Sequence, residues 1–154
     1  MRVILLCLII ALLYGCTVKY PVVGTFADRS DTLYGTVTHN LALGTAYIQI
    51  QGKETKIKCS GTSQVIYIPP ISYILPVCKG QKGVAILNCD DSRVIDAEWE
   101  SISCTTGIGT GADKKGDKFK FVFGMEESNA IDYLNKEFNE TIITNPTSDN
   151  EKGK

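Results

Sequence analysis

Period-two alternation recurs along this chain and leaves few folds open. From Gly44 onward Ala46, Ile48 and Ile50 take one face while Tyr47, Gln49 and Gln51 take the other, as in a half-buried strand. Arg93 to Trp99 repeats the pattern, with Ile95, Ala97 and Trp99 on one side and Asp96, Glu98 and Glu100 on the solvent side. Lys118 to Phe123 sets Phe119, Phe121 and Phe123 together. Further β-rich runs cover Tyr20–Ala27, Leu33–Thr38, Thr55–Cys59, Thr62–Ile68 and Val84–Cys89, separated by turn clusters such as Asp28-Arg29-Ser30-Asp31, Gly52-Lys53 and Asp90-Asp91-Ser92. A series of short strands punctuated by Gly and Asp predicts a mainly β fold, a small antiparallel β-sandwich or barrel. One short C-terminal helix is expected after it, N-capped by Asn129, with Ala130, Ile131, Leu134 and Phe138 at helical spacing and the sheet beneath them. Asn145 to Lys154 is polar and unpatterned, which predicts a disordered tail.

The N-terminus sets the address. Arg2 precedes an apolar run from Val3 to Leu13, of the length expected for a secretory leader, roughly 7 to 15 residues. Gly15, Thr17 and Lys19 end the run well short of the about 20 residues that a membrane span needs. Leu13-Tyr14-Gly15-Cys16 resembles the lipobox of bacterial lipoproteins, with an aliphatic residue three before the Cys and a small one just before it; Tyr14 stands where a small residue is usual. The resemblance implies that residues 1–15 are a signal peptide, that Cys16 is acylated and becomes the N-terminus, and that 16–19 are a lipidated tether ahead of a β domain at 20–144. Acyl chains contribute about 0.8 kcal/mol per buried CH₂, so several on one residue anchor a protein stably. In that family, Thr17 rather than Asp after the Cys implies the outer membrane of a bacterial cell envelope.

Of six Cys, Cys7 leaves with the leader and Cys16 carries lipid, which leaves Cys59, Cys78, Cys89 and Cys104. Four Cys in an exported domain predict two disulfides. The alternative, a four-Cys zinc site, lacks the C-x₂-C knuckle, the intervening stretches being 18, 10 and 14 residues, so no metal is expected. Three connectivities are open, and we favour Cys59 with Cys89 and Cys78 with Cys104. Losing Arg2 changes 16 basic against 17 acidic residues to 15 against 17, a net charge of −2. Without a basic patch, a nucleic-acid partner has nothing to neutralise its phosphates.

Catalytic motifs are sparse. Gly107-Ile108-Gly109-Thr110-Gly111-Ala112-Asp113 lacks the ending of either phosphate-binding glycine loop and is expected to be a mobile loop between strands. Asp90, Asp91, Asp113 and Asp117 match no calcium loop and read as turn residues. His39 is the only imidazole, no G-x-S-x-G elbow accompanies it, and the disulfides leave no thiol nucleophile. We therefore assign no catalytic residue, no cofactor and no enzymatic activity. Pro69-Pro70-Ile71-Ser72-Tyr73-Ile74-Leu75-Pro76 is apolar yet too proline-rich for an interior strand. It reads either as a loop packed down and pinned by Cys78 or as an exposed surface for a protein partner, with Ile71, Tyr73, Ile74 and Leu75 the candidate contact residues.

Gly83-Val84-Ala85-Ile86-Leu87-Asn88-Cys89-Asp90-Asp91-Ser92-Arg93, Gly107-x-Gly-x-Gly and Phe119-x-Phe-x-Phe-Gly124 together resemble a group of small cysteine-containing, β-rich bacterial lipoproteins. That implies a non-catalytic envelope lipoprotein acting as a protein-binding or structural module. The chain is also similar in size and anchoring to periplasmic inhibitors of lysozyme-like hydrolases. In those an insertion loop of Ser-Gly-x-x-Tyr type stands where Ser60-Gly61-Thr62-Ser63-Gln64 stands here.

Overall fold

The structure, a computed structural model, describes residues 17–27 and 31–143, with side chains to residue 137. The signal peptide, Cys16 and the tail at 145–154 lie outside the described residues.

Eight strands, β1 (Thr17–Phe26), β2 (Thr32–Asn40), β3 (Thr45–Gly52), β4 (Lys58–Tyr67), β5 (Lys82–Cys89), β6 (Val94–Ser101), β7 (Gly107–Asp113) and β8 (Lys118–Phe123), pair in chain order into a closed barrel. Every pairing is antiparallel, and β8 returns to β1 with Val22 opposite Phe123 and Phe26 opposite Phe119. Closure leaves no sheet edge to template aggregation. Of the two expected architectures, the barrel is the one formed.

The alternation places Ile48 and Ile50 of β3 and Ile95 and Ala97 of β6 inside, while Gln49, Gln51, Asp96, Glu98 and Glu100 remain outside. Two expected strands, Thr55–Cys59 and Thr62–Ile68, merge into a single β4 over Lys58–Tyr67, because Ser60 and Gly61 stay in register with Asn88 and Leu87; Thr55 to Ile57 belong to the turn before it. Thr17 to Lys19, expected as a tether, open β1 and pair with Asn40, His39 and Thr38. Asp90 to Ser92 closes the β5–β6 hairpin as expected, and Ser92 takes φ 70° to do so.

The glycine-rich stretch is not a loop. It is β7, and its inward glycines Gly107, Gly109 and Gly111 stand opposite Phe123, Phe121 and Phe119. A Cβ on Gly109 would lie 2.1 Å from Phe121 Cζ, and one on Gly107 2.3 Å from Phe123 Cζ. Gly107 and Gly109 therefore act as seats for aromatic rings, as Gly24 of β1 does for Phe119, whereas Gly111 lies against Asp96 and Ala97 of β6.

A helix, α1 (Glu127–Ile143), follows β8 and is longer and starts earlier than the expected Asn129 cap. Its Ala130 and Leu134 bury against Val23 and Val122, outward residues of β1 and β8, and Lys120 pairs with Glu137 at 3.7 Å. No helix among the described residues is long and apolar enough to cross a membrane.

Candidate functional site

The barrel has two unlike ends. At one, the lumen is filled by Phe26, Leu33, Ile50, Ile95 and Phe119 around the Cys59–Cys89 disulfide, which joins directly opposed inward positions of β4 and β5. Phe26 and Phe119 pack at 5.1 Å between ring centroids, and the Arg93 guanidinium lies 4.3 Å over the Phe26 ring while its Nε donates to Asp91 Oδ2 at 2.6 Å. Asp31 fastens the adjoining turn: Oδ1 accepts from Glu54 N–H and Oδ2 from Thr55 N–H, both at 3.0 Å. Burial pushes the Asp31 carboxyl up, but hydrogen bonds from Glu54, from the Thr55 hydroxyl and N–H, and from Thr32 outweigh it and hold it below the ordinary aspartate value.

Toward the other end the inward residues of β3, β4 and β5 shrink to Ala46, Ser63 and Ala85, and a cavity of about 280 Å³ remains. Its walls include Val22, Val37, Ile48, Val65, Leu87, Trp99 and Phe121, and among its lining residues none is an acid, a lysine or an arginine. Trp99 lies over Gly83, where a Cβ would be 2.2 Å from Cζ2, and meets Phe123 edge-on at 5.7 Å. Trp99 Nε1–H donates to Ser63 Oγ at 2.7 Å, which satisfies the polar atoms of both within an apolar wall. Nearer the mouth stand Tyr20, His39, Gln81 and Ser101. Burial pushes His39 below the ordinary imidazole value, which favours its neutral form.

The mouth is framed by the loops at 41–44, 68–81 and 102–106, and the Cys78–Cys104 disulfide ties the second of these to the third. The two disulfides are thus the pairing favoured from sequence, one inside the plug and one on the rim. Pro70–Tyr73 forms a single 3-10 turn with no buried residue. Ile71, Tyr73, Ile74 and Leu75 are all exposed, so the loop is not packed down over the strands. Ser72 Oγ donates to Val77 O and holds the loop's shape.

Sequence reasoning grouped none of the lumen residues into a site. The signal was present in the small inward residues Ala46, Ser63 and Ala85 on three consecutive strands, while Phe121 and Phe123 are drawn close to Gly109 and Gly107 on another part of the wall. Ser60 to Gln64 lies within β4, so the segment compared with an inhibitor's insertion loop is barrel wall and cannot project into another protein's cleft.

No family model and no curated protein matches the chain. Two solved structures resemble it. A de novo designed fluorescence-activating β-barrel is 11% identical with a TM-score of 0.48, over 70% of this chain and 91% of that one. A redesigned β-barrel is 16% identical with a TM-score of 0.49, over 76% and 94%. Likeness at this level carries no argument about function, and the architecture rests on the strand register itself.

Proposed function

We propose that this chain is a non-catalytic binding protein, anchored in the bacterial envelope through acyl chains on Cys16, whose lumen takes one slender apolar molecule. The observation that carries the reading is the lumen itself, apolar, uncharged, sealed at one end and open at the other. An eight-stranded barrel is just wide enough either to fill with side chains or to hold one small ligand. This barrel does the first at its sealed end and the second at its mouth. An apolar cavity of about 150 Å³ already takes up benzene, so the space here suits something nearer a medium-length acyl chain. Tyr20, His39 and Gln81 near the mouth are placed to meet a polar head, and neutral His39 can both donate and accept.

The non-catalytic part of the reading is supported by the lumen's chemistry. His39 is its only imidazole, no carboxylate lines it to orient that ring, and its cysteines, Cys78 and Cys104, are bonded to each other. The test is a titration of a soluble form beginning at Thr17 with a naturally fluorescent conjugated fatty acid. Saturation at one molecule per chain, with displacement by unlabelled decanoate, is expected. A linear, non-saturating signal would rule the lumen out as a binding site.

A further inference from the structure

We propose that the rim of the barrel docks on the lipid bilayer mouth-down, so that the lumen opens directly into the membrane rather than into the aqueous space. The inference rests on the preceding reading for acylation of Cys16; the rim itself is a separate observation. Exposed apolar side chains gather at this one end, with Leu43 71%, Tyr73 76% and Ile74 81% exposed, and Ile68 and Ile102 beside them. The three inter-strand loops that bear them, 41–44, 68–81 and 102–106, contain Lys79 as their only charged residue. The chain leaves β8 at the same end through Gly124, whose carbonyl accepts from Thr106 Oγ1, and adds the exposed Glu126 and Glu127. An apolar face edged by charges of both signs suits the boundary of headgroups and acyl chains.

What selects a bilayer over a protein is where the chain leaves the barrel. Thr17 is already in β1, paired with Asn40 at this rim. Cys16 is its covalent neighbour, and successive Cα atoms are about 3.8 Å apart. With no tether between them, acyl chains on Cys16 hold this rim, and not the opposite end, at the headgroup plane. Tyr73 then sits at the depth that favours a phenol, with an apolar body and a polar tip.

The test uses the acylated full chain in vesicles of phosphatidylethanolamine and phosphatidylglycerol containing lipids brominated at a shallow acyl position. Trp99→Phe removes the sole tryptophan, and Tyr73→Trp or Lys115→Trp then places a reporter at the rim or at the sealed end. The Tyr73→Trp emission should shift to the blue and lose most of its intensity, while Lys115→Trp should behave as in water. Amide exchange on the same vesicles needs no reporter and covers the case in which Trp99→Phe weakens the barrel. Loops 41–44 and 68–81 should exchange more slowly in the native chain than in a Leu43→Asp/Ile74→Asp variant that stays vesicle-bound through Cys16. Rim amides and rim emission that remain water-like on the vesicles would overturn the proposal and leave the rim to a protein partner; equal quenching at both ends would overturn it in favour of a barrel lying on its side. Ala85→Phe, which fills the lumen, should leave the rim signals unchanged, and intact mass reports acylation independently, so failure of the binding reading and failure of docking are distinguishable.

Discussion

Along β3, β4 and β5 the inward positions hold Ile50, Cys59 and Cys89 at the sealed end of the barrel and Ala46, Ser63 and Ala85 toward the open one, while Phe26, Leu33, Ile95 and Phe119 of the other strands complete the plug. Both ends obey one alternation and one strand register. On these three strands side-chain volume is what separates the plug from the pocket. The loops follow the same division: 53–57, 90–93 and 114–117 at the sealed end carry Lys53, Glu54, Asp90, Arg93, Lys115 and Asp117, whereas Leu43, Tyr73 and Ile74 face outward at the mouth.

The largest difference should appear between the two disulfides. They close loops of similar length, with sequence separations of 30 and 26, so the chain-entropy contribution is nearly equal, about 3.5 kcal/mol each. Cys59 and Cys89 are buried and Cys104 is exposed, so replacing the first pair by Ala also removes packing, for a total of about 4 to 5 kcal/mol. Denaturant unfolding of Cys59→Ala/Cys89→Ala against Cys78→Ala/Cys104→Ala measures the gap. Equal losses would mean that the plug is no better packed than the rim.

A methyl group distinguishes the filled wall from the empty one. Gly109→Ala forces Phe121 from its seat and should cost about 1 to 3 kcal/mol. Ala85→Val adds its methyls into the cavity and should cost less than about 1 kcal/mol, with weaker ligand uptake. If Ala85→Val proves the costlier, the cavity is smaller than described.

The two ends should also answer differently to pH. Asp31 has a folded pKa below its ordinary 3.8, so its contribution is present above that value and lost as pH falls through the folded one. His39 has a folded pKa below 6.5, so the unfolded chain binds the proton more tightly; stability is full above 6.5 and declines as pH falls from there toward the folded value. Asp31→Asn should flatten only the acid limb of the stability profile and His39→Gln only the limb beginning near 6.5. The smallest effect belongs to the rim, where Ile74→Ser should change stability by no more than about 0.5 kcal/mol, since the side chain is 81% exposed.

The β class, the hairpin at Asp90 to Ser92, the inward face of β6 and the outer helix were all legible, because period two and period 3.6 register directly in sequence. What was not legible depends on partners across the sheet. Gly107-x-Gly-x-Gly looks like a loop until Phe119-x-Phe-x-Phe folds back opposite it in the β7–β8 hairpin, a pairing that the glycine run alone does not announce. The cavity was hidden for the same reason. Ala46, Ser63 and Ala85 are unremarkable singly and meaningful only once β3, β4 and β5 bring them together.

Trp99 offers the most direct test of the open lumen, because the chain's single tryptophan lines it. A medium-chain fatty acid brominated near its methyl end should quench Trp99 saturably in the soluble barrel. Ala85→Phe should abolish that quenching while leaving the melting transition in place. Quenching that persists undiminished in a folded Ala85→Phe barrel, or an absence of quenching in the native one, would contradict a ligand-holding lumen.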